Sequence, residues 1–338
     1  MSTARRPART VTALTAAGAL ALGLSACGSG DTTPSSSPSS SGSASASGSP
    51  ATAVTTSKIA DVKVSGGDEK SAPKIEMETP FGVGDFAVQV LTEGTGAATT
   101  DQSIAIIDYA LVNGTSGASI DEIYTSDPTG FDVGDSTLIS GLRKALTGVK
   151  KGSRVIAALP PADAFGPQGN TQIGVAGTDT VVFVFDVRDV ATKLGQAEGT
   201  AVPAKSGHPT VNWTKGTPAT FTMPTGKAPT ELVIQPLIEG KGAKVEQGDT
   251  AVVTYTGALW RNGQVFDSSF KQGPTASFSF PVGGQKVIPG WDKGVEGQRV
   301  GSRLLLIVPP SDGYGTAGQG EIKGDDTMVF VVDILAKY

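Results

Sequence analysis

Between residue 230 and the C-terminus, apolar runs alternate with clusters of turn residues. Glu231–Ile238, Thr250–Trp260, Gly301–Val308 and Thr327–Lys337 are rich in Val, Ile, Leu and aromatic residues, a composition that predicts β-strands. In the last run Met328, Phe330, Val332 and Ile334 share one face by period-two alternation. Asn262-Gly263 marks a tight turn between two strands. One short segment, Pro289–Gln298, has helical spacing, with Trp291 and Val295 at i,i+4. One short helix lying across a curved antiparallel sheet is the expected unit, an α+β layout.

That unit is written twice. Tyr109 in "DYALVNG" matches Tyr255 in "TYTGALWRNG", and Asp121 matches Asp267, both pairs 146 residues apart. Leu142 then aligns with Trp291 and Pro160-Pro161 with Pro309-Pro310, 149 apart, and "DTVVFVFDV" with "DTMVFVVDI", 147 apart. Long colinear matches at a nearly constant offset predict two homologous domains. They are expected at 75–191 and 215–338, joined by a Gly/Pro/Ala-rich linker at 192–214.

The first 60 residues carry a different pattern. Arg5, Arg6 and Arg9 precede the apolar stretch Val11–Leu24, which ends in Leu24-Ser25-Ala26-Cys27. A basic start, a short apolar run and small residues before a cut site describe a secretory signal, here expected at 1–26. The last four of these residues resemble a bacterial lipobox, which implies that Cys27 is lipidated and anchors an exported chain to the outer face of the cell membrane. Residues 27–60 are almost wholly small and polar and are expected to form a disordered tether. Thirty such residues span about 30 Å end to end.

Composition removes several chemistries. A net charge of -5 and a pI near 5.1 argue against a nucleic-acid surface. One Cys and one His cannot build a zinc site, and no cofactor or metal is expected. The only imidazole, His208, stands beside Pro209 in the linker and reads as a solvated loop residue.

The second repeat is similar to the FKBP family of peptidyl-prolyl isomerases over nearly all of residues 230–338. "VVTYTGALWRNGQVFDSSF", "FSFPVGGQKVIPGWDKGVEGQRVGSRLLLIVPPSDGYG" and "MVFVVDIL" follow in family order and spacing. The resemblance implies a half-barrel of antiparallel strands around one helix, with an aromatic pocket for a proline ring. It implies catalytic roles for Tyr255, Asp267, Ile288, Trp291 and Tyr314, with Trp291 as the floor, and a substrate lining of Phe266, Phe278, Val287 and Phe330. The partners it implies are proline-containing polypeptides and macrolide ligands. Gln319 stands where many members carry histidine, in a charged loop from Gly318 to Thr327.

Taken singly, each residue has a plainer reading. Phe266, Phe330, Val287 and Ile288 fit the core of any β fold, Trp291 a packing anchor, Asp267 a turn, and Tyr314 a loop aromatic; the ordered set favours the pocket. In the first repeat the same positions read Tyr109, Ile120, Asp121, Thr129, Leu138, Ile139, Leu142, Phe165 and Phe183. Its indole and one tyrosine hydroxyl are gone, so a degenerate copy is expected. The leading expectation is prolyl isomerisation during folding of exported proteins. Its alternative is a non-catalytic polypeptide-binding chaperone or interaction lipoprotein. A solute-binding lipoprotein fits the anchor but not the duplicated short β domains.

Overall fold

The computed structural model describes residues 56–338; the expected signal segment, Cys27 and most of the tether lie outside the described residues. A small hairpin, β1 (Lys63–Ser65) and β2 (Lys74–Glu76), leads into the first domain. That domain comprises β3 (Ala87–Thr92), β4 (Ser103–Asn113), β5 (Ser119–Glu122), β6 (Thr129–Asp132), α1 (Ser140–Leu146), β7 (Arg154–Leu159) and β8 (Val181–Thr192). The strand order is β3-β7-β8-β4-β5, with β6 also on β4, all antiparallel.

After β9 (Gly199–Ala201), β10 (Thr210–Asn212) and β11 (Thr220–Thr222), the second domain repeats the plan. It comprises β12 (Val233–Gly240), β13 (Thr250–Leu259), β14 (Val265–Ser268), β15 (Phe278–Pro281), α2 (Pro289–Val295), β16 (Arg303–Val308) and β17 (Met328–Lys337). The order β14-β13-β17-β16-β12-β9, with β15 also on β13, gives two tandem α+β half-barrels, each wrapped around one seven-residue helix.

Each core lies between helix and sheet. Period-two alternation turns Met328, Phe330, Val332 and Ile334 toward α2, where they join Trp291, Val295, Leu304 and Leu306. Pro289 starts α2 at its first position, where a missing N–H costs nothing. A Cβ at Gly294 would lie 2.9 Å from Leu306, so this glycine lets the helix sit close to β16.

The opposite face of each sheet is also covered. The β1–β2 hairpin packs Val64, Ile75 and Met77 over Ile156, Ala158, Val182 and Val184. The β10–β11 hairpin packs Val211, Phe221 and Met223 over Leu305, Ile307 and Val329. The stretch 192–214, expected as a linker, joins the two domains and packs along the second. Its β9 pairs with the edge of β12, and its Ala197 N–H donates to the buried Asp333 carboxylate at 3.0 Å. His208 is not solvated but half-buried, its Nδ1 hydrogen-bonded to Oε1 of the buried Gln235. The end of the expected tether is likewise folded, since Ser57 N–H donates to Gly82 O at 2.7 Å and Ile59–Asp61 form a 3-10 turn. Ile104, Ile106 and Ala191 of the first domain meet Val252, Ala336 and Tyr338 of the second in a joint apolar patch.

Candidate functional site

The second domain's site begins with a split sheet edge. Along β13, residues Thr250–Val253 pair with β15 and Thr256–Ala258 pair with β14. Tyr255 falls in the gap between the two edge strands. Its N–H donates to Ser269 Oγ at 3.2 Å, and its carbonyl accepts from Ser268 Oγ at 2.8 Å, so side chains satisfy a backbone that no strand reaches on that edge. This leaves a half-open aperture with β14 and Phe266 on one side, β15 and Phe278 on the other.

Rings line the aperture. Trp291, 4% exposed at the start of α2, has its ring centroid 5.0 Å from Tyr255, 5.4 Å from Phe330, 5.6 Å from Phe280 and 6.0 Å from Phe278. All four contacts are edge-to-face, the favourable arrangement of ring quadrupoles. Phe266 meets Phe330 at 5.6 Å and 89°. Both need Gly257 beneath them, where a Cβ would lie 2.6 Å from Phe330 and 2.8 Å from Phe266. Phe278 and Tyr314 are 39% and 37% exposed, so the box has an open mouth. Val287 and Ile288, just before α2, pack half-buried against the same core.

Polar groups stand at the rim. Tyr255 OH donates to Asp267 Oδ2 at 2.5 Å, and Ser268 N–H donates to Asp267 Oδ1 at 2.8 Å. Lys271 Nζ lies 3.4 Å from the same carboxylate. Burial, then the hydrogen bond to Asp267, pushes the Tyr255 hydroxyl well above the ordinary tyrosine range. Burial, then the charge of Asp267, raises Tyr314 in the same direction. Both stay neutral donors near pH 7. Among the described residues nothing accepts from the Ile288 N–H, which stands at the N-cap of α2.

The structure therefore brings together Tyr255, Phe266, Asp267, Phe278, Val287, Ile288, Trp291 and Phe330, with Tyr314 at the exposed side. Gln319 is in the neighbouring loop, its N–H bonded to Ile322 O at 2.8 Å, and Arg261 ties that loop to the sheet through Asp326 at 2.8 Å. Sequence reasoning missed Phe280, although Phe278-Ser279-Phe280 places two rings on one strand face. It also missed Asp292, whose carboxylate accepts from the N–H groups of Gly283 at 2.9 Å and Gln285 at 3.2 Å. That clamp holds the loop leading to Val287 and Ile288, including Gln285 at φ 55.

In the first domain the same frame is filled. Tyr109 still donates to Asp121 at 2.7 Å, but it is only 1% exposed. By register Leu111 opposes Phe183 as Gly257 opposes Phe330, so an isobutyl group stands in the first domain where the glycine of the second lets the Phe330 and Phe266 rings close in. Phe185 replaces Val332 and stacks on Phe183 at 4.8 Å, adding ring volume where Leu142 replaces the indole. Leu138 and Ile139, beside Ile120 and Phe165, pack against this closed core. "DTVVFVFDV" against "DTMVFVVDI" carried the signal for the second ring.

Comparison with known proteins agrees with this duplicated geometry. The family model described as FKBP-type peptidyl-prolyl cis-trans isomerase matches residues 96–188 and again 241–335. The "Probable FK506-binding protein" of Corynebacterium glutamicum is 39% identical over 114 residues, 34% of this chain and 93% of that protein. The FK506-binding protein of Streptomyces anulatus is 39% identical over 115 residues, 33% of this chain and 91% of that one. Among solved structures, FkpA from Escherichia coli is 38% identical, with 33% of this chain and 50% of that chain covered and a TM-score of 0.29. With both repeats matched and the matched regions taking in more than half of its length, the chain belongs to the FKBP-type peptidyl-prolyl cis-trans isomerase family.

Proposed function

We propose that the second domain carries the isomerase activity, that the first is a spent copy, and that the chain works on exported polypeptides from a lipid anchor on Cys27. The observation that supports the assignment between domains is the open ring box around Trp291, against the filled box around Leu142. The anchor rests on the basic, apolar and Leu-Ser-Ala-Cys pattern of the first 27 residues.

Rotation about an X-Pro bond breaks amide resonance against a barrier of about 18–20 kcal/mol and needs no nucleophile. The planar amide is more dipolar than the twisted one, so an apolar box penalises the ground state more than the transition state. The proline ring enters against Trp291 between Phe266, Phe278 and Phe330. The free Ile288 N–H and the Tyr314 hydroxyl, at the mouth, donate to substrate carbonyls and hold the chain on either side of the turning bond. Asp267, fixed by Tyr255 and its neighbouring N–H, faces the rotating carbonyl. Raising a rate of about 0.01 s⁻¹ to about 1,000 s⁻¹ takes roughly 7 kcal/mol, which shape, desolvation and two hydrogen bonds share. Macrolide ligands of the family would take the same box.

The test is a matched pair of full-length variants assayed on a short X-Pro peptide. Asp267→Ala is expected to lower turnover at least about tenfold, while Asp121→Ala leaves it near wild type. Equal losses would overturn the assignment to the second domain. Suppressed aggregation with no acceleration of proline-limited refolding would replace the enzyme by the polypeptide-binding reading.

A further inference from the structure

The wall carrying Phe278 is not held by the second domain alone. The segment Gly273–Ser277 leads from the 3-10 turn Ser269–Gln272, just after Asp267, to Phe278. Its last residue, Ser277, donates from Oγ to Asp132 Oδ2 of the first domain at 2.7 Å. Thr275 Oγ1 donates to Gly134 O at 3.3 Å, again across the domain boundary. Asp132 is itself fixed: Gly134 N–H donates to Oδ1 at 3.1 Å, and buried Lys193 pairs with Oδ2. At the other end of the same contact, the Tyr338 ring packs over Gly130, where a Cβ would come within 2.3 Å of it.

We infer that the first domain, having lost its own pocket, serves as the rigid support of the second domain's substrate wall, with Asp132 as a positioning residue acting through Ser277 on Phe278. This rests on the reading that the second domain is the isomerase. The chemistry suits the role, because a hydrogen bond to an ionised carboxylate is stronger and geometrically tighter than a neutral one. Asp132 is screened from water by Lys193 and held at both oxygens, so Ser277 has one place to sit. Phe278 follows it directly, and its ring stands 6.0 Å from both Tyr255 and Trp291, in the aperture that substrate crosses. A wall that drifts weakens substrate binding and leaves the turning step, beside Asp267 and Tyr255, largely intact.

The experiment separates KM from kcat in the full chain on an X-Pro peptide. Ser277→Ala is expected to raise KM about three- to tenfold, the scale of one charge-assisted hydrogen bond, with kcat within about twofold of wild type. Ser277→Thr, which keeps the hydroxyl, restores KM. Asp132→Ala raises KM at least as much, and adding Ser277→Ala to it changes KM no further, since the two residues act through one bond. A KM indifferent to Ser277→Ala, or additive effects in the double variant, overturns the inference even if thermal stability falls. A wild-type chain with no turnover fails at the earlier reading and takes this one with it, so the two failures are told apart.

Discussion

Replacing Trp291 with leucine, the residue the first domain carries at that place, tests the pocket floor directly. The indole is 4% exposed and makes edge-to-face contacts with Tyr255, Phe278, Phe280 and Phe330. Truncating a buried tryptophan to alanine costs about 3–5 kcal/mol, and leucine restores part of that volume, which leaves a loss of about 2–3 kcal/mol. Each aromatic pair is worth about 0.5–1.5 kcal/mol beyond area, so the lost ring contacts belong inside that figure rather than on top of it. The second domain lacks the compensating ring that Phe185 supplies in the first, so the cavity stays partly open. Catalysis loses the platform under the proline ring, worth about 1.5–3 kcal/mol of apolar contact, or roughly ten- to a hundredfold in kcat/KM. Denaturant unfolding gives the first quantity and a coupled peptide assay the second, on the same full-length protein. A folded variant whose turnover stays within about twofold of wild type would refute the floor assignment. A variant that loses stability alone would make Trp291 a packing residue only.

Two further outcomes follow from the geometry. Gly257→Leu, which imports Leu111 of the first domain, must displace the Phe330 and Phe266 rings, since even a Cβ would sit 2.6 Å and 2.8 Å from them; peptide turnover is expected to fall at least about a hundredfold in a protein that still unfolds cooperatively, and retained turnover would show that the rings leave room. Burial, with the nearby Asp121, Asp186 and Asp267 carboxylates, holds the Tyr109, Tyr124 and Tyr255 hydroxyls protonated above the ordinary tyrosine range. Above about pH 10 the unfolded chain loses phenolic protons that the folded chain retains, so stability falls as pH rises, by up to about 1.4 kcal/mol per pH unit for each ring. Phenolate absorbance from these three should appear only with loss of the β-sheet circular-dichroism signal, and native-state ionisation near pH 10 would contradict the burial argument.

Patterns that repeat within a few residues were legible in the chain. Apolar runs between turn residues located β13, β16 and β17 to within two residues, with period-two alternation setting the inward face of β17, and the i,i+4 pair Trp291 and Val295 located α2. The colinear repeat gave the tandem architecture, because a half-barrel's strands must recur in order. Readings that depend on distant partners were not legible. Val211 and Phe221 sit on three-residue strands too short to show a period, yet they pack over Leu305, Ile307 and Val329 on the outer face of the sheet. His208 reads as a loop residue until β10–β11 folds back and brings it to Gln235. The repeat aligns Leu111 with Gly257, but only the pairing with β8 and β17 shows that each faces a phenylalanine of the core. The Asp132–Ser277 bond joins residues 145 apart, with no local pattern at either end.

The two domains also show how one frame can hold either an exposed ring box or a filled one without a change of fold. The sheet is stabilised by ladder pairing and by apolar side chains on both faces, none of which requires an empty box. An open box is a cost, because its rings lack contacts on one side that a filled core would supply. Leu111 and Phe185 remove that cost in the first domain, whereas Gly257 and Val332 maintain it in the second. A protein with two equivalent pockets gains stability by closing one of them, provided the closed copy keeps its outer contacts. Among its outer contacts is the corner at Asp132, which meets the wall carrying Phe278 in the second domain. On the proposed assignment, a closed first box and a supported second wall both follow from one duplicated frame, and they make the outer contacts of the first domain, not its box, the part that bears on catalysis.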